Sequence, residues 1–240
     1  MKKKLVALIT GLMIATTCIP ASSFAADNHA FKAAKPFSSE KEYCKAYGIP
    51  YVNTAEFKDE VRHMMKERRI GSNGRIVTKR NSIMKKRNVP NAYVSDVLWT
   101  DNPITPWNHV GVYTKTNQIT EALAKGVCQR NTGMQNEYAL KVYKVVTKNN
   151  GSDRYSPEKR TKVSNYAVAQ VGKGYDVNFA DNKQNTKKSN KKYNCSELVW
   201  KAWRYNNGSV NVDLDSNGGK GVYPDNIANS KRTIKVSEVK

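Results

Sequence analysis

The sequence predicts an α+β domain, an antiparallel sheet with a helix packed on it. Three observations predict it. Val110 and Val112 alternate with His109, Gly111 and Tyr113, the period of a half-buried strand. A polar reversal over residues 114–117 leads into a second short apolar segment, Ile119 to Leu123, so the two segments read as a hairpin. Much later, Leu198, Val199, Ala202, Trp203 and Tyr205 fall at the spacings of one buried helical face, with Asn194 placed to cap the helix.

At the N-terminus, Lys2 to Lys4 precede an apolar run over residues 5–19, followed by Pro20 and Ser23-Phe24-Ala25. A basic end, a short apolar run and small residues at minus three and minus one form a secretory signal peptide, with cleavage expected after Ala25. The run is short for a membrane span. Cys18 makes a poor lipidation signal, because Ala15 stands where a large aliphatic residue is expected. The expected organisation is a signal peptide at 1–25, an N-terminal helical extension at 26–90 and the principal domain at 91–240.

Within the extension, Asn53-Thr54-Ala55-Glu56 offers an N-cap with a glutamate three residues on. The helix that follows carries Phe57, Val61, Met64 and Met65 on one face and is expected to end at Gly71 and Gly74. His63 lies on it among charged residues and reads as solvated surface. The basic residues 75–93 read as a connecting loop or short helix. After the hairpin, residues 138–146 alternate as another strand and Asn149-Asn150-Gly151-Ser152 turns the chain. Ser156-Pro157 starts a helix burying Val163, Tyr166 and Ala167, stopped by Gly172 and Gly174. Residues 181–192 contain no apolar side chain and read as a surface loop able to gate a cleft. Residues 233–239 alternate as a final strand.

Cys195 falls in the first turn of its helix, where unpaired backbone N–H groups and the positive end of the helix dipole favour thiolate over thiol. By elimination of His29 and His63, His109 is the histidine placed to act as its base. Glu121 sits at the centre of the second hairpin strand. A three-residue loop would put it opposite His109 on one face, whereas a two-residue loop would put the two on opposite faces. Besides Cys195 the chain without its leader contains Cys44 and Cys128, either a disulfide in an oxidising compartment or two buried free thiols. Asp213-x-Asp215-x-Asn217-Gly218 imitates the start of a calcium loop, but Pro224 occupies the twelfth position, where a glutamate is needed. No cysteine–histidine cluster has zinc spacing, so neither a metal nor a cofactor is expected.

These residues resemble the permuted papain-like cysteine amidases, the YaeF/YiiX-like branch of the NlpC-like superfamily, in which the histidine strand precedes the cysteine helix. Ser95-Asp96-Val97-Leu98-Trp99 is similar to the family's Gly-Asp-Ile-Leu strand, and Trp107 to Tyr113 to its His-Val-Gly-Ile-Tyr strand. Gly174-Tyr175-Asp176, the Asn194-Cys195-Ser196-Glu197-Leu198-Val199-Trp200 block and Tyr223-Pro224-Asp225-Asn226-Ile227 follow in the family's order. The resemblance covers roughly residues 90 to 230 and departs from the family at Ser95, usually glycine. It implies a circularly permuted papain-like fold and a hydrolase with Cys195 as nucleophile, His109 as general base and Glu121 as the polar third residue. Tyr175, Tyr193 and Trp107 are the expected substrate contacts.

The formal charge is +21, falling to +18 once the three lysines of the leader are removed. Such an excess attracts polyanions. For an exported chain these are anionic wall polymers or acidic lipid surfaces. Scattered lysines without interleaved aromatics argue against nucleic acid. The expected substrates are peptide or other amide bonds, peptidoglycan peptides included, with lipid esters or amides as the alternative. A noncatalytic wall-binding protein would instead have an unreactive Cys195, and a basic membrane-surface factor would bind anionic vesicles in a salt-sensitive way.

Overall fold

The computed structural model describes residues 28–74, 76–78, 87–101, 105–133, 136–137, 140–183, 191–204 and 210–239. The expected signal peptide, Tyr205, residues 138–139 and residues 184–190 of the polar loop lie outside the described residues. No described helix is long and apolar enough to cross a membrane.

A six-stranded antiparallel sheet organises the chain. Its strands are β1 (Val97–Thr100), β2 (His109–Lys115), β3 (Gln118–Leu123), β4 (Gly126–Asn131), β5 (Leu140–Val145) and β6 (Thr233–Val239), in the spatial order β6-β5-β1-β2-β3-β4. Side chains alternate between the two faces. Val97, Trp99, Val110, Val112, Tyr143 and Val145 therefore join one core cluster, and Leu98, Tyr113, Ile119, Leu140 and Val142 another. With apolar packing on both faces, β2 is buried from His109 to Thr114.

The main helices are α1 (Glu40–Tyr47), α2 (Ala55–Glu67), α3 (Pro157–Val168), α4 (Cys195–Arg204) and α5 (Pro224–Ala228). Val163 and Ala167 of α3, Val199 and Trp203 of α4, and Tyr43, Phe57, Val61 and Met64 of α1 and α2 complete the larger cluster. The core thus runs across residue 91, where a domain boundary is expected. Every residue of α4 from Cys195 to Trp203 is buried, as befits a helix covered on all sides.

The hairpin differs from both registers expected for it. Its turn is a two-residue one, with Lys115 opposite Gln118, yet Tyr113 lies opposite Ile119 and Val112 opposite Thr120. Thr114 is an extra residue, a β-bulge that moves every earlier position by one. Its carbonyl accepts a hydrogen bond of 2.9 Å from Ser164 Oγ on α3, and its hydroxyl lies 3.0 Å from that of Thr120. The bulge restores the parity that a plain two-residue turn would lose. Gly111 comes opposite Glu121, and His109 lies diagonally from Glu121 on the same face.

Other expectations are revised locally. Thr54, not Asn53, caps α2, accepting from the Phe57 N–H at 3.3 Å. That helix ends at Glu67, because Arg68–Ile70 pairs with Ile76–Thr78 as a small antiparallel ribbon, so the extension is not purely helical. Cys44, Cys128 and Cys195 are all free thiols, which removes the Cys44–Cys128 disulfide. Ser95 adopts φ of 71°, the left-handed conformation that glycine enters without strain.

Candidate active site

Asn194 builds the start of α4. Its Oδ1 accepts the Glu197 N–H at 2.9 Å, and Glu197 Oε2 reaches back toward the Asn194 N–H at 3.4 Å, a reciprocal capping box. Asn194 is itself fixed by Asn182 Nδ2 at 3.2 Å and by donating to the Asn178 carbonyl at 3.0 Å. Cys195 is consequently the first residue of the helix. The N–H groups of this first turn have no intrahelical acceptor, and that of Glu197 is taken by the Asn194 side chain.

His109, the first residue of β2, has Cys195 as an electrostatic neighbour. Its Nε2 lies 2.7 Å from Glu121 Oε2. Glu121 is fully buried and is gripped by the fork of Arg130, from Nε to Oε1 and from Nη2 to Oε2, the latter at 2.8 Å. Burial alone would raise the pKa of Glu121, but His109 and Arg130 outweigh it and hold the carboxyl below its ordinary value. Burial likewise opposes charging of His109, yet the hydrogen bonds and charges of Cys195 and Glu121 push its pKa from 6.5 up to about 10. The geometry is a chain of imidazole, carboxylate and guanidinium, with Cys195 neighbouring the imidazole.

Gly111 makes the diagonal contact sterically feasible. A Cβ there would come 2.7 Å from Ile119 Cγ2 and 3.2 Å from Glu121 Cβ, so a side chain would displace Glu121 from its path to the imidazole.

A cleft of about 380 Å³ opens onto His109. Tyr47, Ile49, Pro106, Leu123, Tyr175 and Phe179 contribute to its wall, and among its described lining residues there is no aspartate, glutamate, lysine or arginine. Of the three expected substrate contacts, Tyr175 alone lines it. Burial first, and then the negative charge at Cys195, raise the pKa of the Tyr175 phenol, so its O–H remains a donor. Trp107 is instead core, its ring centroid 4.9 Å from Tyr223 and 5.7 Å from Phe179. Tyr193 is buried too and donates to Gln170 Oε1 at 3.0 Å, while its backbone pairs with Tyr175. Both support the wall from behind. Cys195 is 3% exposed, so access to it is narrow.

Residues 83–236 match the family of permuted papain-like amidase enzymes, YaeF/YiiX, C92. The chain belongs to this amidase family. Its fold is the mixed α+β, permuted papain-like one, with the histidine strand ahead of the cysteine helix. The chain is also similar to the uncharacterized protein YycO of Bacillus subtilis (strain 168), with 30% identity over 156 residues that cover 64% of this chain and 59% of YycO. A solved structure, metalloprotein yiiX from Escherichia coli O157:H7, aligns at 15% identity with a TM-score of 0.42 over 62% of this chain and 98% of that one.

The family match spans Cys195, His109, Glu121 and also Arg130. Sequence reasoning missed Arg130. Its signal was available in Gly126 to Asn131, where Val127, Gln129 and Asn131 alternate with Cys128 and Arg130, a strand that puts Arg130 opposite Ile119 beside Glu121. Asp225 and His63 were also passed over. Among the described residues, no group of three or more histidines, cysteines or carboxylates is arranged to hold a metal ion. In the calcium-like loop, Asp213 instead accepts Trp200 Nε1 at 2.8 Å and Asp215 pairs with Lys183 at 2.5 Å.

Proposed function

We propose that the chain is an exported cysteine amidase working through a thiolate–imidazolium pair of Cys195 and His109. The observation that carries this reading is the buried His109 imidazole, with Cys195 as its neighbour on one side and a hydrogen bond to Glu121 on the other, where Arg130 closes the array. With Glu121 ionised, a positive imidazole is favoured next to Cys195, whose thiolate is the nucleophile of this chemistry. The thiolate attacks the acyl carbonyl. The oxyanion is met by first-turn N–H groups of α4, with the Tyr175 O–H as a further donor from the cleft wall. His109 then gives its proton to the leaving amine, and water, deprotonated by His109, releases the acyl group and restores the thiolate.

The substrate class follows from the cleft. A wall lined by Ile49, Pro106, Leu123 and Phe179 receives an apolar acyl group more readily than a charged one. This favours amides of apolar acyl groups, in wall peptides with apolar residues or in lipids, and lipid esters form a second reading on the same observation. Export rests on residues 1–25, and the net charge of +21 is suited to an anionic wall polymer or lipid surface.

The experiment is iodoacetamide labelling of Cys195 against pH, with mass spectrometry to locate the adduct, in wild type and His109→Ala. Iodoacetamide is small enough for the narrow access. Fast labelling below the free-thiol range of about 8.5, slowed by the histidine change, is expected. Labelling that rises only at high pH and ignores His109 would move the protein to the noncatalytic reading.

A further inference from the structure

One face of α2 is committed to the loop that carries Asp225. Glu56, Glu60 and His63 are spaced to line up along the helix. The Glu56 carboxylate accepts the backbone N–H groups of Lys220 at 2.9 Å and Gly221 at 3.3 Å. A Cβ at Gly219 would come 1.9 Å from that carboxylate, so a side chain there would have to push the Glu56 carboxylate aside. Glu60 accepts from Asn226 Nδ2 at 2.9 Å, and His63 Nε2 lies 3.5 Å from Asp225 Oδ2. This helix precedes the segment that matches the amidase family.

Asp225 converts these contacts into a hold on the site. Its Oδ1 accepts Trp99 Nε1 of β1 at 2.7 Å, and its two oxygens accept Asn108 Nδ2 at 2.9 and 3.0 Å. Asn108 is the residue immediately before His109. The ladder between β1 and β2 ends at the pair Thr100 and His109, so strand pairing secures His109 from one side only. Burial opposes ionisation of Asp225, but the hydrogen bonds from His63, Asn108 and Trp99 prevail and keep it a carboxylate. His63 is half-exposed and faces Asp225 on α5 together with Glu60 and Glu67 on its own helix, and shares a small hollow with Arg68 and Asp101.

We propose that Asp225 is a positioning residue for His109, acting through Asn108, and that α2 holds it in place through His63. The carboxylate fixes the strand head, and the strand head sets the imidazole between Cys195 and Glu121. Releasing Asn108 lets His109 drift from both partners, and a displacement of about 1 Å is enough to cost a large factor in rate. This inference rests on the reading of Cys195 and His109 as the reactive pair.

The test is the pH profile of Cys195 labelling by iodoacetamide in the full chain, with a thermal melt for each variant. Asp225→Ala and Asn108→Ala are each expected to slow labelling at pH 6.5 about tenfold and to move its rise toward the free-thiol range. The double variant is expected to be no slower than either single one, because both act through one contact. Asp225→Asn keeps an acceptor without the charge and should fall between wild type and Asp225→Ala, and His63→Gln should slow labelling by about twofold. A folded Asp225→Ala with the wild-type profile, or single effects that multiply in the double variant, would overturn the proposal. Should Asp225→Ala not fold, wild-type profiles in both Asn108→Ala and Asp225→Asn overturn it equally. A wild-type enzyme that labels like a free thiol would instead remove the reactive pair, and the proposed function with it.

Discussion

Two buried glutamates flank the Cys195–His109 couple, and their environments push them in opposite directions. Glu121 is 0% exposed and Glu197 1%. Glu121 is held below its ordinary pKa, Glu197 above it. Burial penalises both. Glu121 has an imidazole at 2.7 Å and a guanidinium fork to offset the penalty. Glu197 has the ammonium of Lys201 at 2.8 Å and the long contact from the Asn194 N–H, with the charge of Asp176 opposing them. The difference teaches that burial does not select a carboxylate for chemistry. The number and geometry of its cationic partners do.

The largest effect expected follows from removing the charge of Glu121 while keeping its shape. In Glu121→Gln the imidazolium loses its counter-charge, and labelling of Cys195 at pH 6.5 should fall about 100-fold. The same change alters stability against pH. His109 has a folded pKa of about 10 against an ordinary 6.5, so the stability it confers is complete below about 6.5 and is lost as pH rises through about 10. The melting temperature of wild type should therefore drop more steeply between pH 7 and 10 than that of Glu121→Gln. Equal slopes would mean that Glu121 does not hold the imidazolium.

Gly111→Ala attacks the same contact by steric means. The added methyl meets Ile119 and Glu121, so Glu121 must shift away from His109. Labelling is expected to slow about tenfold, with a loss of about 1–3 kcal/mol in denaturant unfolding.

The contrast between the two glutamates also marks how much could be read before the structure. The surroundings of Glu197 are local. Asn194, Cys195, Glu197 and Lys201 lie within two turns of one helix, and the cap, the place of Cys195 in the first turn and the apolar face were all legible from spacing. The final strand, Thr233–Val239, was legible for the same reason. The surroundings of Glu121 join three strands. Their register depends on a bulge at Thr114 that is stabilised by Ser164, fifty residues away, and no hairpin rule applied to residues 109–123 contains that information. Arg130 and Asp225 escaped notice because each acquires its partners only through tertiary packing. Tyr193 and Trp107 were assigned to substrate because aromatic residues beside a motif look alike in sequence whether they line a cleft or support it.

Arg130→Lys makes the partner of Glu121 resemble the partner of Glu197. Charge is kept while the two-pronged grip is lost, so the carboxylate stays ionised but becomes free to rotate. A modest slowing of about threefold at pH 6.5 is expected, with the pH midpoint of labelling nearly unchanged. A fall as large as that of Glu121→Gln would show that the fork, rather than the charge, orients the imidazole.

Glu197→Gln should leave labelling of Cys195 within about twofold of wild type, since the contacts of Glu197 with Lys201 and Asn194 lead along its own helix rather than to His109. Its cost appears in stability. Lys201 is buried in the middle of α4 and loses its ionic partner, a change worth about 3 kcal/mol. A chain of this size should then melt several degrees lower. The capping hydrogen bond from the Glu197 backbone to Asn194 survives the substitution, so the start of the helix, and Cys195 with it, keeps its place. If labelling instead fell together with stability, Glu197 would belong to the reactive array, and the two glutamates would differ in degree rather than in kind.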